Sequence, residues 1–318
     1  MKPLIALFTG GYSSEKEISI KSAGHVRGLI SDQFEVIAIV VKETEWFHMD
    51  SNDPVSFQLP SGTISCGTVN RRPDFALIMI HGTPGENGLL QGALELASIP
   101  YNTGNPLNMG ATFDKGMTVA FLEKFGFPIA KSQVISASRP FRLKISYPLF
   151  CKPCEAGSSF GISLVESEIQ LKEAIQKAAK EGDKILLEEK MTGREISCGV
   201  YENPAGEIIA MRGTEIKTHH PFFNYEAKYL GESEEITPAD LSPEEYNQMA
   251  TLAKDVYQSM DCKGLVRIDF IYSDRAGFRI IEINTVPGFT SESIVPQQIA
   301  DLNIRPAEVF GFEFIKKA

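Results

Sequence analysis

Two short runs in the last sixth of this 318-residue chain constrain its fold more than any other feature: Arg267-Ile268-Asp269-Phe270 and Ile281-Glu282-Ile283-Asn284. Each alternates polar and apolar residues. Period-2 alternation is the mark of a strand with one face buried, so Arg267, Asp269, Glu282 and Asn284 share polar faces while the isoleucines and Phe270 pack behind. Asp274-Arg275-Ala276-Gly277 is a turn signal between the runs. A four-residue loop there pairs Ser273 with Phe278, which sets Asp269 opposite Glu282 and Arg267 opposite Asn284. Directly facing side chains have Cβ atoms about 4.5–5.5 Å apart, where like charges repel. Two facing carboxylates beside an amide oxygen therefore ask for a cation, and hard oxygen donors suit Mg²⁺. The plainer alternative is an ion cluster neutralised by Arg267.

The rest of the chain reads as alternating elements. Residues 4–8 form a short apolar strand. Gly10-Gly11 turn the chain, and Ser14, with Glu17 as capping-box partner, opens a helix reaching about residue 30. Segments 34–41 and 75–80 are further strands, and such strand–helix alternation predicts a parallel sheet. Residues 46–70 read as loops or a small hairpin. A helix is expected over 89–97 and another over 111–125, the latter stopped by Gly126 and Pro128. A central α+β unit follows, with strands 149–152 and 162–165, a helix over 168–180 and a strand over 184–189. Strands near 195–201 and 208–212, a long aromatic loop over 218–233 and a helix over 243–260 precede the hairpin. The expected divisions are 1–108, 109–187 and 188–318.

Four loops carry candidate chemistry. Lys152-Pro153-Cys154-Glu155-Ala156-Gly157-Ser158-Ser159-Phe160-Gly161 lies between two strands. Its backbone N–H groups can cradle phosphate and Lys152 adds charge, although the G-K-[ST] ending of a Walker loop is missing. A plain hairpin turn is the alternative. Asn224-Tyr225-Glu226-Ala227-Lys228-Tyr229 sits in a loop long enough to cover a site, or simply to pack as a cover. Glu15, after the double glycine, complements a helix dipole or meets a ligand. His81, in the loop 81–88, is by itself more often structural.

The net charge of −10 argues against partners with phosphate backbones or anionic membranes. No apolar run approaches the roughly 20 residues of a membrane span, and a cytoplasmic setting is expected. Five scattered cysteines fit a reducing compartment. Cys151 and Cys154 form one C-x-x-C with no second pair for a four-thiolate zinc site. They read as two small residues ending a strand, with a redox pair as the alternative.

Taken together, the stretches GGYSSEKEIS, HGTPGENGLLQGALELASIPY, DKGMTVAFLEKFG, KPCEAGSSFG, EEKMTGREIS, YEAKY, RIDF and EINTVPGFTSES resemble the D-alanine–D-alanine ligase family of ATP-grasp enzymes over nearly the whole chain. The resemblance implies an α/β, three-domain ATP-grasp fold that joins two D-alanines at the expense of ATP, for peptidoglycan synthesis, usually as a cytoplasmic homodimer. It implies that Lys115 and Lys152 contact ATP phosphates, together with Ser158 and Ser159 of the loop between the strands. Glu188, Glu189, Lys190 and Met191 line the adenine site, Glu195 holds the ribose, and Lys228 reaches the γ-phosphate. Asp269, Glu282 and Asn284 bind two Mg²⁺, which Mn²⁺ can replace. Arg267 and the Gly288 N–H face the transferring phosphate and the tetrahedral centre. Glu15 meets the first D-alanine's ammonium, His81 lies in the substrate site, and Ser293 meets the second carboxylate. Glu15, Ser158 and Tyr229 form a hydrogen-bonded chain that closes the site.

On this reading the first carboxylate attacks the γ-phosphorus, and the second amine attacks the acyl phosphate. Lys152, Lys228 and Arg267, with the metals, offset the anionic oxygens. The departures from the family pattern are Lys16 where an Arg is usual, Asn87 where an Asp is usual, and Cys154 within the phosphate loop. Three alternatives stand beside it. One is a variant ligase that takes D-lactate or D-serine second. Another is a nucleotide-binding regulator with an inactive site. The third is a glutathione-synthase-like ligase, against which GGYSSE, YEAKY and PGFTSES count as substrate-end motifs.

Overall fold

In the computed structural model, which describes residues 2–157, 159–219 and 233–311, the chain builds three sheets. Ser158, Lys228 and Tyr229 lie outside the described residues. The first sheet has seven strands in the order β6-β5-β4-β3-β2-β1-β7. β1 (Leu4–Gly10) is central among the parallel strands, with β2 (Glu35–Val41) and β7 (Phe75–Ile78) beside it. All seven residues of β1 are buried, which fits a continuous apolar run covered on both faces. Helix α1 (Lys16–Ile30) covers one face, burying Ser19, Ser22, Ala23, Val26 and Ile30 at helical spacing. Helix α2 (Leu89–Leu96) covers the other through Leu90 and Leu94.

Several expectations are corrected here. Ser14 does not cap α1: Glu15 occupies the N-cap position, and no side chain caps the helix. Of the loops or small hairpin expected over residues 46–70, the hairpin reading holds and extends further. The segment forms β3 (Trp46–His48), β4 (Pro54–Gln58), β5 (Thr63–Cys66) and β6 (Val69–Arg71), which extend the sheet antiparallel. Strands of three to five residues are too short to show a period, so turn-like composition dominates their reading. The expected helix over 111–125 is two helices, α3 (Pro106–Phe113) and α4 (Lys115–Lys124). Asp114 breaks them with an extended backbone, ψ 103°, and its side chain accepts from the Met117 N–H.

The second sheet is antiparallel, in the order β10-β9-β11-β8. It pairs β9 (Leu149–Pro153) with β10 (Ser163–Val165) and β11 (Lys184–Glu189), and β11 with β8 (Ser132–Ser136). Alternation sends Leu149, Cys151, Ile185 and Leu187 into a core under helix α5 (Glu168–Ala178). Phe150, Lys152 and Glu188 face the other way. Cys154 packs in a different core from Cys151. Burial pushes the two thiols up to about 12 and about 11, which suppresses the thiolate that redox exchange needs.

The third sheet joins β12 (Arg194–Glu202), β13 (Ile208–Ala210), β14 (Thr214–Thr218), β15 (Ser233–Ile236), β16 (Val266–Ser273) and β17 (Gly277–Asn284). Helix α6 (Pro243–Ser259), with a capping box between Ser242 and Glu245, covers its core face. Helix α7 (Ile294–Asp301) packs with β12 and, through Val295 and Ile299, enters the same core as Ile5 and Leu7 of β1.

Candidate active site

The hairpin β16–β17 pairs Asp269 with Glu282 and Arg267 with Asn284, as expected, but by another route. Its turn is one residue shorter, so Ser273 faces Gly277 and Phe270 faces Ile280. A bulge next to Asp269 then leaves Ile281 as the extra residue and restores the register. Both Ile281 and Glu282 consequently line the cavity.

Asp269 is the anchor of this wall. Its Oδ1 accepts from Ser197 Oγ at 2.5 Å and Arg267 Nε at 2.9 Å. Its Oδ2 accepts from Arg267 Nη2 at 2.8 Å and Asn284 Nδ2 at 3.0 Å. Ser197 reaches Asp269 from β12, whose Glu195, Ser197 and Gly199 lie on one face. Among the described residues no three His, Cys, Asp or Glu side chains converge on one point. The hairpin instead offers two carboxylates and one amide. These are hard oxygen donors that fit a magnesium-type ion, provided such an ion displaces donors already on Asp269.

The opposite wall comes from the second sheet. Lys152 Nζ lies 2.5 Å from Glu188 Oε2, and both side chains are almost wholly buried. Burial alone lowers the Lys152 ammonium, but Glu188, Glu282 and Glu195 outweigh it and raise it above the ordinary lysine range. Lys152 therefore stays cationic. Lys115, at the start of α4, donates from Nζ to the Ala156 carbonyl at 2.6 Å, which ties it to the glycine-rich loop. Ser159 in that loop is held at φ 62°, an unfavourable left-handed conformation for a non-glycine residue. At Gly157 a Cβ would stand 1.9 Å from Glu15 Oε2, so only glycine lets the loop approach that carboxylate.

These walls enclose a cavity of about 630 Å³. Glu15, His81, Lys115, Lys152, Ser159, Glu195, Arg267, Glu282, Asn284 and Gly288 line it, as do Glu188, Glu189, Lys190 and Met191. Asp269 does not, and acts on the cavity through Arg267 and Asn284. Ser293 also stands outside the lining, at the N-cap of α7, where its Oγ accepts from the Thr290 N–H at 2.9 Å. An added Cβ at Gly288 would meet that oxygen at 3.3 Å.

Sequence reasoning missed several lining residues. Phe150, Val119, Ile271 and Ile281 give the cavity an apolar side beside Met191. Alternation with Lys152 could have found Phe150, whereas Ile281 depends on the bulge. Glu86 also lines the cavity, accepting from the Gly82 N–H at 2.7 Å and the Val286 N–H at 3.3 Å. Burial and the nearby Glu15 carboxylate push Glu86 up to about 8.

Residues 4–104 match the family model described as D-ala D-ala ligase N-terminus, and residues 120–309 match D-ala D-ala ligase C-terminus. A D-alanine–D-alanine ligase of Porphyromonas gingivalis strain W83 is 36% identical, over 97% of this chain and 96% of its own length. The chain belongs to the D-alanine–D-alanine ligase family. It is a ligase of ATP-grasp fold, in keeping with its architecture. The crystal structure of D-alanyl-alanine synthetase A from Vibrio cholerae superposes with a TM-score of 0.88 at 28% identity, covering 99% of this chain and 98% of that one. The VanG D-Ala:D-Ser ligase of Enterococcus faecalis gives 0.85 at 29% identity, covering 98% of each chain. The Vibrio cholerae and Enterococcus faecalis enzymes thus share the backbone seen here.

Proposed function

We propose that this chain joins two D-alanines at the expense of ATP, through an acyl phosphate. The observation that carries this reading is the meeting of Lys115, Lys152, Arg267 and Glu282 with Glu15 and Gly288 around one cavity. The cations suit a polyphosphate, and the Glu15 carboxylate suits a substrate ammonium. Lys152 and Lys115 hold the phosphates, and Glu188, Glu189, Lys190, Met191 and Glu195 receive the adenosine part. Arg267 and the Gly288 N–H offset charge on the transferring phosphoryl group and the tetrahedral centre. Ser293 receives the second carboxylate from the N-cap of α7. Ser158, Ser159, Lys228 and Tyr229 complete phosphate binding and closure. Mg²⁺, or Mn²⁺ in its place, would be held by Asp269, Glu282 and Asn284 and would supply charge neutralisation on the phosphates.

We keep the divisions 1–108, 109–187 and 188–318 as part of this reading; the first boundary runs through α3 and the second through β11. No helix among the described residues is long and apolar enough to cross a membrane, and we place the chain in the cytoplasm. A homodimer is supported by the exposure of Leu89, Leu96 and Leu107 on α2 and α3. Light scattering after gel filtration tests it.

The experiment for the main reading is ADP release with Mg-ATP and D-alanine, D-serine, D-lactate or L-alanine. Turnover with D-alanine alone, yielding D-alanyl-D-alanine, is expected at neutral pH. Equal use of D-lactate or D-serine as second substrate, or no D-alanine-dependent ADP release, overturns it.

A further inference from the structure

The loop carrying Gly288 is held by side chains 200 to 267 positions away in the sequence. His81 Nδ1 lies 2.8 Å from the Val286 carbonyl oxygen, and His81 Nε2 lies 3.2 Å from Ser22 Oγ. Ser22 Oγ also accepts from the Phe289 N–H at 3.2 Å. A carbonyl oxygen only accepts, so Nδ1 carries the proton. Nε2 then accepts the Ser22 hydroxyl proton, and the Ser22 oxygen remains the acceptor for Phe289. His81 thus grips both ends of the segment 286–289: directly at Val286 and through Ser22 at Phe289. Glu86 takes the remaining backbone group at the first end, the Val286 N–H. His81 is anchored in turn, since its N–H donates to Ser19 Oγ at 3.0 Å and its carbonyl accepts from Ser13 Oγ at 2.9 Å.

We infer that His81 is a positioning residue which, with Ser22 and Glu86, fixes the Gly288 N–H at the cavity. The inference rests on the proposed role of that amide. Both ring nitrogens are committed to protein partners, so His81 serves the substrate through the backbone it holds, not through a nitrogen of its own. Burial keeps the imidazole below its ordinary range, with Arg267 acting the same way, against the opposing pull of Glu15 and the Val286 contact. A neutral ring is what the Ser22 contact requires.

Two measurements test this. The first is ¹⁵N NMR of histidine-labelled enzyme at pH 7, with the His81 signal assigned by its loss in His81→Asn. A neutral ring protonated on Nδ1 is expected. The Nε2-protonated form, which predominates in free imidazole side chains, overturns the proposal whatever the enzyme's activity. The second is steady-state kinetics. His81→Ala is expected to lower kcat by about 10–100-fold, as for a misplaced transition-state donor, with the ATP KM within about twofold. His81→Asn places an amide donor near the Nδ1 position, so it recovers part of that loss, and Ser22→Ala shows the same split more weakly. A raised D-alanine KM at unchanged kcat makes His81 a direct substrate ligand and overturns the proposal. If His81→Ala does not fold, Ser22→Ala and the tautomer decide. A wild type without D-alanine-dependent ADP release fails the functional reading instead, and the tautomer result stands independently of it.

Discussion

The two charged walls of the cavity solve the same problem in opposite ways. On the second sheet, Lys152 and Glu188 pair across neighbouring strands, and both also line the cavity. On the hairpin, Arg267 and Asp269 pair along one strand, and Asp269 is withdrawn behind donors from Ser197, Arg267 and Asn284. The first pair lines the cavity, so a phosphate entering there would have to compete directly with Glu188 for Lys152. The second is closed, so a cation can use Asp269 only by displacing hydrogen bonds already made. Desolvated pairs are costly to break from one side and cheap to replace as a unit. The contrast therefore predicts different responses to mutation.

The largest effect is expected at the hairpin. Glu282→Gln should lower kcat by about 10²–10³-fold, the usual cost of losing charge stabilisation at the transition state, here through the Mg²⁺ that Glu282 would help hold. Its melting temperature should stay close to wild type, because Glu282 faces the cavity and not the core. A variant with normal turnover would remove this wall from the mechanism.

Lys152→Met should come next. It leaves Glu188 buried with its ion partner gone, which destabilises by about 3–5 kcal/mol. Lys152→Met combined with Glu188→Leu should recover most of that stability while remaining inactive. Denaturant unfolding beside ADP release separates the two effects. A double variant no more stable than the single one would mean that the pair does not act as a unit.

Glu86 gives a pH-dependent test. Its folded-state affinity for a proton is raised from 4.5 to about 8, so between these values the folded chain holds a proton that the unfolded chain releases. That contribution to stability is present at the acid end and declines as pH rises toward 8. Glu86→Gln keeps the shape without the charge. Its stability relative to wild type should rise by on the order of 1–3 kcal/mol from pH 5 to 8. A difference independent of pH refutes the assignment.

The smallest effect belongs to the bulge. Ile281→Ala removes apolar area from the cavity side and should raise the ATP KM by about fivefold, corresponding to roughly 1 kcal/mol of lost burial. An unchanged KM would leave the bulge without a role in nucleotide binding.

How far the molecule could be read from its sequence differs along the chain for physical reasons. The pairing of Asp269 with Glu282 was legible because alternation fixes which residues share a face. The bulge at Ile281 was not, since a shortened turn and an extra residue cancel in the count. Of β3 to β6 no more than a small hairpin was legible, because strands of three to five residues carry no period. The break at Asp114 has no glycine or proline at the break itself, and Gly110 and Gly116 beside it sit inside the helical pattern. Within the site, the charged motif residues could be named from their order. Ser22, Ser197 and Glu86 could not, because their importance lies in partners brought near only by the fold.

The core shared by β1 and α7 bears on how the protein is made. Ile5 and Leu7 of β1 pack with Val295 and Ile299 of α7, about 290 residues later in the chain. At a synthesis rate of roughly 5–20 residues per second, that face of the first sheet waits about 15–60 s for its last covering residues. The nascent N-terminal segment must spend this interval with unsatisfied apolar surface. The candidate site cannot form earlier, because its final wall emerges from the ribosome just before α7. Assembly of the site and burial of that surface are therefore one late event of synthesis.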